Sequence, residues 1–302
     1  METIAAARRG IIHKLKRASV ESPELTADLL IGFVIERNRA FVLCHPEYPI
    51  DDDSIGRLYA LTARRARGEP LQYLTGEREF YGRAFHVTPD VLIPRPETEF
   101  LVETAVGLII KNRREDRREN RKRFPPVIRL ADVGTGSGCI AVSMLCEIPE
   151  TFCCAIDCSF PALSVAGENA RRHLADGRMA LLCGDLLTGV APRECFDLIL
   201  SNPPYVAQMD YNNLSSEVRE FEPDLALFGG GDGFDIYRRL IPASFRYLST
   251  GGYLLLELGA GQAGEVERLA SEAGFFTETV VKDLQGIPRC LAARKPQRSV
   301  HG

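Results

Sequence analysis

Along the first 75 residues apolar positions recur three and four apart, as in TADLLIGFVIE, with breaks at SPEL, HPEYPIDDD and GEP. That spacing predicts a small helical bundle over 1–75. From 77 to 93 the texture changes. EREFYGRAFHVTPDVLI alternates like paired strands and runs into PRPETEF, where Pro94 and Pro96 stop regular pairing ahead of a helix through FLVETAVGLII. Residues 76–96 read as a linker hairpin. Beyond it, VIRLADV, FCCAID, MALLCG, FDLILS and GYLLLELG are short continuous apolar runs of the kind that form buried strands. Helical spacing lies between them, near 138–147, 160–173, 234–248 and 261–273. Such alternation predicts an α/β domain over 97–302, a mainly parallel sheet covered by helices. FTETVV and IPRCLAAR, on either side of DLQG, predict a closing hairpin.

The 302 residues, 45% hydrophobic, are ample for one large or two moderate packed domains. No apolar stretch reaches the roughly 18 uncharged residues of a membrane span, and the first thirty residues lack a signal-peptide core. We expect a soluble, cytoplasmic monomer. The nine cysteines form no CxxC pair and have no histidine at ligand spacing, so neither a disulfide framework nor a metal site is expected. Cysteines within TFCCAID and MALLCGD read as small buried hydrophobes. A net charge of -4 argues against a chain that grips nucleic acid over its whole surface. KNRREDRRENRKRFPP, residues 111–126, runs the other way, with eight basic side chains against three acidic ones. A weak contact of 111–123 with an anionic partner is one reading; a solvated helix end or loop is the other, and no aromatic is interleaved for stacking.

ADVGTGSGCIAV places Gly134, Thr135, Gly136, Ser137 and Gly138 between the first buried strand and a helix. Glycines there allow a tight turn and close approach of a ligand to the backbone at the carboxyl edge of the sheet. The GxGxG spacing departs from the GxGxxG that seats a pyrophosphate, and no GK[ST] follows. Asp157 ends the second strand, where an acid can accept from two ribose hydroxyls. Asp185 ends the third, beside the place of an adenine, with Leu186 able to pack on the ring. A lone Asp in a loop usually caps a helix. The order of glycine loop, acid and acid is more informative: it fits adenosine without a diphosphate, and so S-adenosylmethionine.

After FDLILS comes NPPY, Asn202, Pro203, Pro204 and Tyr205. Asn202 precedes a proline and is biased toward extended geometry, and both prolines fix their own φ. The Pro203 carbonyl and the Asn202 side-chain carbonyl can then face a cleft as two acceptors for one NH2 group, while Tyr205 covers a planar acceptor. Standing alone, NPPY would be a proline-rich turn closing a strand. Joined to the glycine loop and the two acids, it reads as the acceptor site of an amino-methyltransferase.

GTGSG at 134–138, NPPY at 202–205 and PRPETE at 94–99 together resemble the HemK/PrmC family of protein glutamine methyltransferases. SPELTADLL, PLQYLTGEREFYGRAFHV, FEPDLALFGGGDG, GGYLLLELG and DLQGIPR extend the resemblance over nearly the whole chain. It implies a helical N-terminal substrate-recognition domain joined by a hairpin to a Rossmann-like class I methyltransferase domain. It also implies methylation of the glutamine side-chain amide in the GGQ motif of peptide-chain release factors. Carried over by position, Gly134 to Gly138, Asp157, Leu186 and Asn202 would contact S-adenosylmethionine, and Asn202 to Tyr205 would hold the glutamine. CSFPAL after Asp157 departs from the family's serine–proline turn, and the basic stretch is longer than the family pattern.

The rival reading is an amino-methyltransferase acting on DNA bases, since NPPY suits any planar NH2. Such enzymes extrude a base and need a broadly basic face, which only 111–126 offers here. A silent methyltransferase fold serving as an assembly factor would have no need of NPPY. A nicotinamide-dependent dehydrogenase conflicts with the glycine spacing.

Overall fold

The computed structural model describes residues 1–119, 125–191 and 193–297. The chain divides into two compact units, Met1–Glu77 with Leu214–Phe221, and Arg78–Asn213 with Glu222–Gly302.

The first unit is helical. Its elements are α1 (Ile4–Arg17), α2 (Pro23–Val34), α3 (Arg39–Cys44), α4 (Asp52–Arg65) and α5 (Leu71–Thr75), with a two-residue pairing of β1 (Glu2–Thr3) and β2 (Pro49–Ile50). The spacing of Ile4, Ala7, Ile11 and Leu15 puts one face of α1 into a core shared with Leu30, Ile31 and Leu58. Thr3 caps α1 by accepting from the Ala6 N–H at 3.3 Å, and Asp51 caps α4 by accepting from the Ser54 N–H at 2.8 Å. Asp52 and Asp53 in the first turn of α4 and Arg64 and Arg65 in its last complement the helix dipole. Inside the bundle Asp28 is fully buried and accepts from Arg8 at 2.6 Å and Arg39 at 3.2 Å, the pairing a buried carboxylate needs.

The second unit begins with the hairpin β3 (Glu77–Phe80) and β4 (Arg83–His86), whose Phe80 and Phe85 are buried in the core of this unit. It continues through α6 (Glu99–Glu119), β5 (Ile128–Val133), α7 (Cys139–Glu147), β6 (Thr151–Asp157), α8 (Phe160–Arg172), β7 (Met179–Cys183) and β8 (Phe196–Ser201). Short α9 (Ser216–Phe221), which packs with the first unit, and α10 (Asp224–Leu227) precede α11 (Asp235–Tyr247), β9 (Leu248–Glu257), α12 (Ala263–Glu272), β10 (Phe276–Lys282) and β11 (Pro288–Arg294).

Seven strands form one sheet in the order β10-β11-β9-β8-β5-β6-β7, parallel from β9 to β7 and closed by the antiparallel hairpin β10–β11. Alternate residues of each central strand feed two cores. Leu130, Leu198 and Leu255 face α6 and α7, whereas Ala131, Ile199 and Leu254 face α11 and α12. All six residues of β8 are buried, which is why its central residues, Leu198, Ile199 and Leu200, are all apolar. The chain leaves β7 at one edge and returns to β8 on the other side of β5, so the strand order reverses between β5 and β8. Crevices at the carboxyl ends of strands form at such reversals.

Two expectations need adjustment. MALLC is apolar but only half buried, because β7 is the last strand of the sheet and has a neighbour on one side only. Accordingly Cys183 is exposed, as are Cys44 and Cys158; of the nine free cysteines, Cys139, Cys153 and Cys290 are buried. The basic segment starts as helix: residues 111–119 are the last turns of α6, where Arg113 pairs with Glu150 at 3.2 Å and Lys111 with Glu278 at 3.5 Å. Residues 120–124 lie outside the described residues. No helix among the described residues is long and apolar enough to cross a membrane.

Candidate active site

A cavity of about 250 Å³ opens at the carboxyl ends of β5, β6 and β8. Its lining brings together Gly134, Thr135, Gly136, Ser137, Asp157, Asp185, Leu186, Asn202 and Pro204. These positions are up to 70 residues apart in sequence. Gly138, Pro203 and Tyr205 lie outside the lining.

The glycine loop turns on three left-handed residues, Gly134 (φ 73°), Gly136 (φ 53°) and Gly138 (φ 77°). A side chain at Gly138 would come within 3.1 Å of Ala166, so this glycine also allows α7 to approach α8. Gly136 has no heavy atom within 4 Å of where a Cβ would stand, which leaves its backbone open to a ligand. Asp132, the last-but-one residue of β5, anchors the loop from below. Its Oδ2 accepts from the Thr135 hydroxyl at 2.7 Å and from the Ala141 N–H at 3.1 Å. Its Oδ1 is buried without a hydrogen-bond partner among the described residues. Burial pushes this carboxyl up to about 7, the two hydrogen bonds opposing it and the Asp157 charge adding to it.

At the tip of β6, Asp157 accepts from the Gly136 N–H and from the Ser159 N–H, both at 2.9 Å. The glycine loop and the entry to α8 are thus tied to one carboxylate. Helix entry after Asp157 is regular: Ser159 caps α8 by accepting from the Ala162 N–H at 3.2 Å, with Pro161 in the first turn. Serine and proline are both there, with Phe160 between them. After β7, Asp185 pairs with Arg239 of α11 at the rim of the cavity. Leu186 follows with φ 53°, an unusual backbone for a leucine that holds it against the core and the cavity.

At the tip of β8, the Ser201 hydroxyl donates to the Val133 carbonyl at 2.6 Å, locking the ends of β8 and β5 together. The Asn202 Nδ2 donates to the Thr98 hydroxyl at 3.1 Å. Nothing among the described residues donates to the Asn202 Oδ1 or to the Pro203 carbonyl. Tyr205 packs behind the corner against the α11 side of the core, and burial first, then the nearby Glu257 charge, push its hydroxyl up to about 12.

Two glycine-rich segments grip this corner from outside. The Gln262 side chain donates to the Tyr205 carbonyl at 3.0 Å and accepts from the Gly259 N–H at 3.1 Å. Cβ atoms at Gly229, Gly233 and Gly259 would lie 2.7 Å from Tyr205 Cα, 2.5 Å from its carbonyl oxygen and 2.9 Å from its ring. The segment PRPETE forms another wall, with Pro94, Arg95 and Thr98 lining the cavity. It is pinned by Glu222, whose buried carboxylate accepts from the Ile93 N–H at 3.2 Å and from Arg95 at 2.5 Å.

Sequence reading did not single out Asp132, Arg95, Thr98, Glu222, Arg239, Gln262 or Glu257. Most of them lie within motifs quoted above for their resemblance, yet nothing local states which side chain meets which. Asp132 was accessible: an acid inside an apolar strand just before a glycine loop has to be paired.

Residues 6–76 match the family model of the PrmC N-terminal domain, and residues 122–219 that of the methyltransferase small domain. The release factor glutamine methyltransferase of Koribacter versatilis is 40% identical over 97% of this chain and 99% of its own length. That of Nitratidesulfovibrio vulgaris is 38% identical over 97% and 95%. Among solved structures, a methyltransferase from Pyrococcus furiosus superposes with a TM-score of 0.51 at 16% identity, covering 82% of this chain and all of that one, a likeness of fold.

Proposed function

The chain belongs to the release factor glutamine methyltransferase family, and on that premise we propose that it methylates the side-chain amide nitrogen of the glutamine in the GGQ motif of peptide-chain release factors, with S-adenosylmethionine as donor, in the cytoplasm and in support of translation termination. The observation that carries this reading is the pair of unclaimed acceptors, Asn202 Oδ1 and the Pro203 carbonyl, at the tip of a buried strand beside the glycine loop.

The residues present fit the cofactor. Gly136 offers open backbone, Asp132 Oδ1 is a buried acceptor still without a partner, and Asp157 retains lone pairs beyond its two backbone bonds. Gly134 to Ser137 and Asp157 would hold the methionyl and ribose parts, and Leu186 and Asp185 would flank the adenine. When bound, S-adenosylmethionine supplies an electrophilic sulfonium methyl.

An amide nitrogen is a poor nucleophile because its lone pair is delocalised into the carbonyl. Asn202 Oδ1 and the Pro203 carbonyl each accept one of the two amide hydrogens. Held between them, the nitrogen is drawn toward a tetrahedral shape with its lone pair turned to the methyl. The prolines contribute stiffness, so the acceptors need no reorganisation as charge develops. Attack by the nitrogen would form the new C–N bond as the methyl's bond to sulfur breaks and its electron pair stays on sulfur, and the amide proton would then pass to solvent water.

A transfer assay tests this reading. Purified protein and labelled S-adenosylmethionine are incubated with an intact release factor and, separately, with duplex DNA, and the product is mapped by mass spectrometry. Label on the GGQ glutamine is expected; label on DNA alone, or on neither substrate, rejects the assignment.

A further inference from the structure

Asn169, toward the end of α8, has no exposed surface, and both ends of its amide are engaged. Its Oδ1 accepts from the His86 N–H at 2.7 Å, and its Nδ2 donates to the His86 carbonyl and to the Ser137 carbonyl, both at 2.9 Å. The orientation of this amide is therefore forced. A half-turn would set its NH2 against the His86 N–H and its oxygen against two carbonyls. One side chain thus pairs with the last residue of β4 as a neighbouring strand would, and still reaches the glycine loop.

Within that loop nearly every backbone N–H is already used. Gly134 and Thr135 donate to the Ile156 carbonyl at 2.8 and 2.9 Å, Gly136 donates to Asp157 at 2.9 Å, and Gly138 donates to the Thr135 carbonyl at 2.8 Å. Among the described residues nothing accepts from the Ser137 N–H, although Ser137 is buried and lines the cavity. A buried N–H left without an acceptor costs stability, so this one is kept for a ligand. The peptide that follows it is clamped at both ends, the Ser137 carbonyl by Asn169 and the Gly138 N–H by Thr135.

Which part of S-adenosylmethionine takes this N–H follows from what the other groups can do. Ribose hydroxyls would donate to Asp157, and the adenine would lie between Leu186 and Asp185, so the strong acceptor left over is the α-carboxylate of the methionyl end. We infer that Asn169 is a positioning residue for that end of the cofactor: it holds the Ser137 carbonyl against α8, and the Ser137 N–H is thereby left to donate to the carboxylate. Asn169 acts through the loop and does not itself line the cavity. This rests on reading the cavity as the S-adenosylmethionine site. The hairpin does not depend on Asn169 alone, because the His173 ring meets the Ala84 carbonyl at 2.8 Å and stitches β4 to the end of α8 a second time.

The test compares two thioether ligands by calorimetric titration of the full-length protein. S-adenosylhomocysteine carries the amino-acid end; methylthioadenosine shares the adenosine and the sulfur but lacks it. Asn169→Ala, and Asn169→Leu, which keeps the volume without the polar contacts, should each weaken S-adenosylhomocysteine by roughly tenfold or more while methylthioadenosine moves less than about threefold. His173→Ala, which loosens only the hairpin, should leave both constants within about twofold of wild type. Asn169 variants that bind S-adenosylhomocysteine within about twofold of wild type, or that lose both ligands to the same extent, overturn the proposal. So does a His173→Ala protein that reproduces the selective loss, since the effect would then belong to the hairpin. If neither Asn169 variant folds, amide exchange in the wild type decides. S-adenosylhomocysteine should slow exchange of the Ser137 N–H roughly tenfold more than saturating methylthioadenosine does, and equal slowing by the two overturns the proposal. A wild type that binds neither ligand would instead refute the reading of the cavity.

Discussion

Asn202 uses its NH2 on Thr98 and keeps its carbonyl oxygen unclaimed, so removing its side chain should leave the fold intact and cripple the reaction. We expect Asn202→Ala to lower turnover by roughly a hundredfold, the usual scale for losing a preorganised polar contact, with cofactor affinity nearly unchanged. Single-turnover kinetics alongside calorimetric titration check this, and near-normal turnover would remove NPPY from the mechanism. Asp157→Ala should raise the S-adenosylmethionine dissociation constant, both by removing a ribose acceptor and by releasing the Gly136 and Ser159 N–H groups. An unchanged constant would mean that Asp157 only supports the loop. Asp132 gives a prediction about stability. Its carboxyl is raised from 3.8 to about 7 by burial, so folding favours the protonated form. The contribution is complete below about pH 4 and is lost as pH rises through 7, by a few kcal/mol at most. Asp132→Asn should therefore gain thermal stability relative to wild type at pH 8 compared with pH 5.5, a difference that melting curves at the two values would reveal. Residue types were readable from the chain at this scale: GTGSG, Asp157 and NPPY announce themselves. Their partners were not, because a hydrogen bond between Asn202 and Thr98 spans 104 residues and leaves no local trace.

Elements act by where they end. β5, β6 and β8 each stop beside the cavity, and each delivers its loop there because parallel strands share one carboxyl edge. The NPPY corner is then compressed by the segments after α10 and β9. Gly233 has φ 83°, and an alanine Cβ there would lie 2.5 Å from the Tyr205 carbonyl oxygen. Gly233→Ala should cost roughly 1–3 kcal/mol and displace the corner, lowering turnover more than cofactor affinity. Denaturant unfolding and kinetics on the same preparation would check it, and a variant that loses stability without losing turnover would show that the corner tolerates the shift. FEPDLALFGGGDG was visible only as part of the family resemblance, and its duty of gripping Tyr205 was hidden, since only a folded chain brings 229–233 against 205. β7 shows the reverse error. MALLC has the apolar run of an interior strand, and only the sheet order places it at an edge.

For the whole molecule, the proposed GGQ substrate raises the question of how so small a loop would be selected. A few residues offer little contact area for specificity, and we propose that the helical unit of 1–77 supplies further surface. Deleting residues 1–75 should reduce turnover of an intact release factor at least tenfold while the S-adenosylmethionine dissociation constant changes little. Equal loss of both would show that the bundle is needed for folding rather than for recognition. The net charge of -4 coexists with a basic end to α6 whose Lys111 and Arg113 already have acidic partners, so charge by itself assigns that helix no partner. By itself the sequence determined the class of the fold, its order of strands and helices, and the chemical types gathered in its loops, because hydrophobic period, glycine and proline act on neighbouring residues. Tertiary structure alone decided the strand reversal between β5 and β8, the edge position of β7 and the hydrogen bond from Asn202 to Thr98. Those depend on which distant segments share a core, and that is settled by the packing of all of them at once.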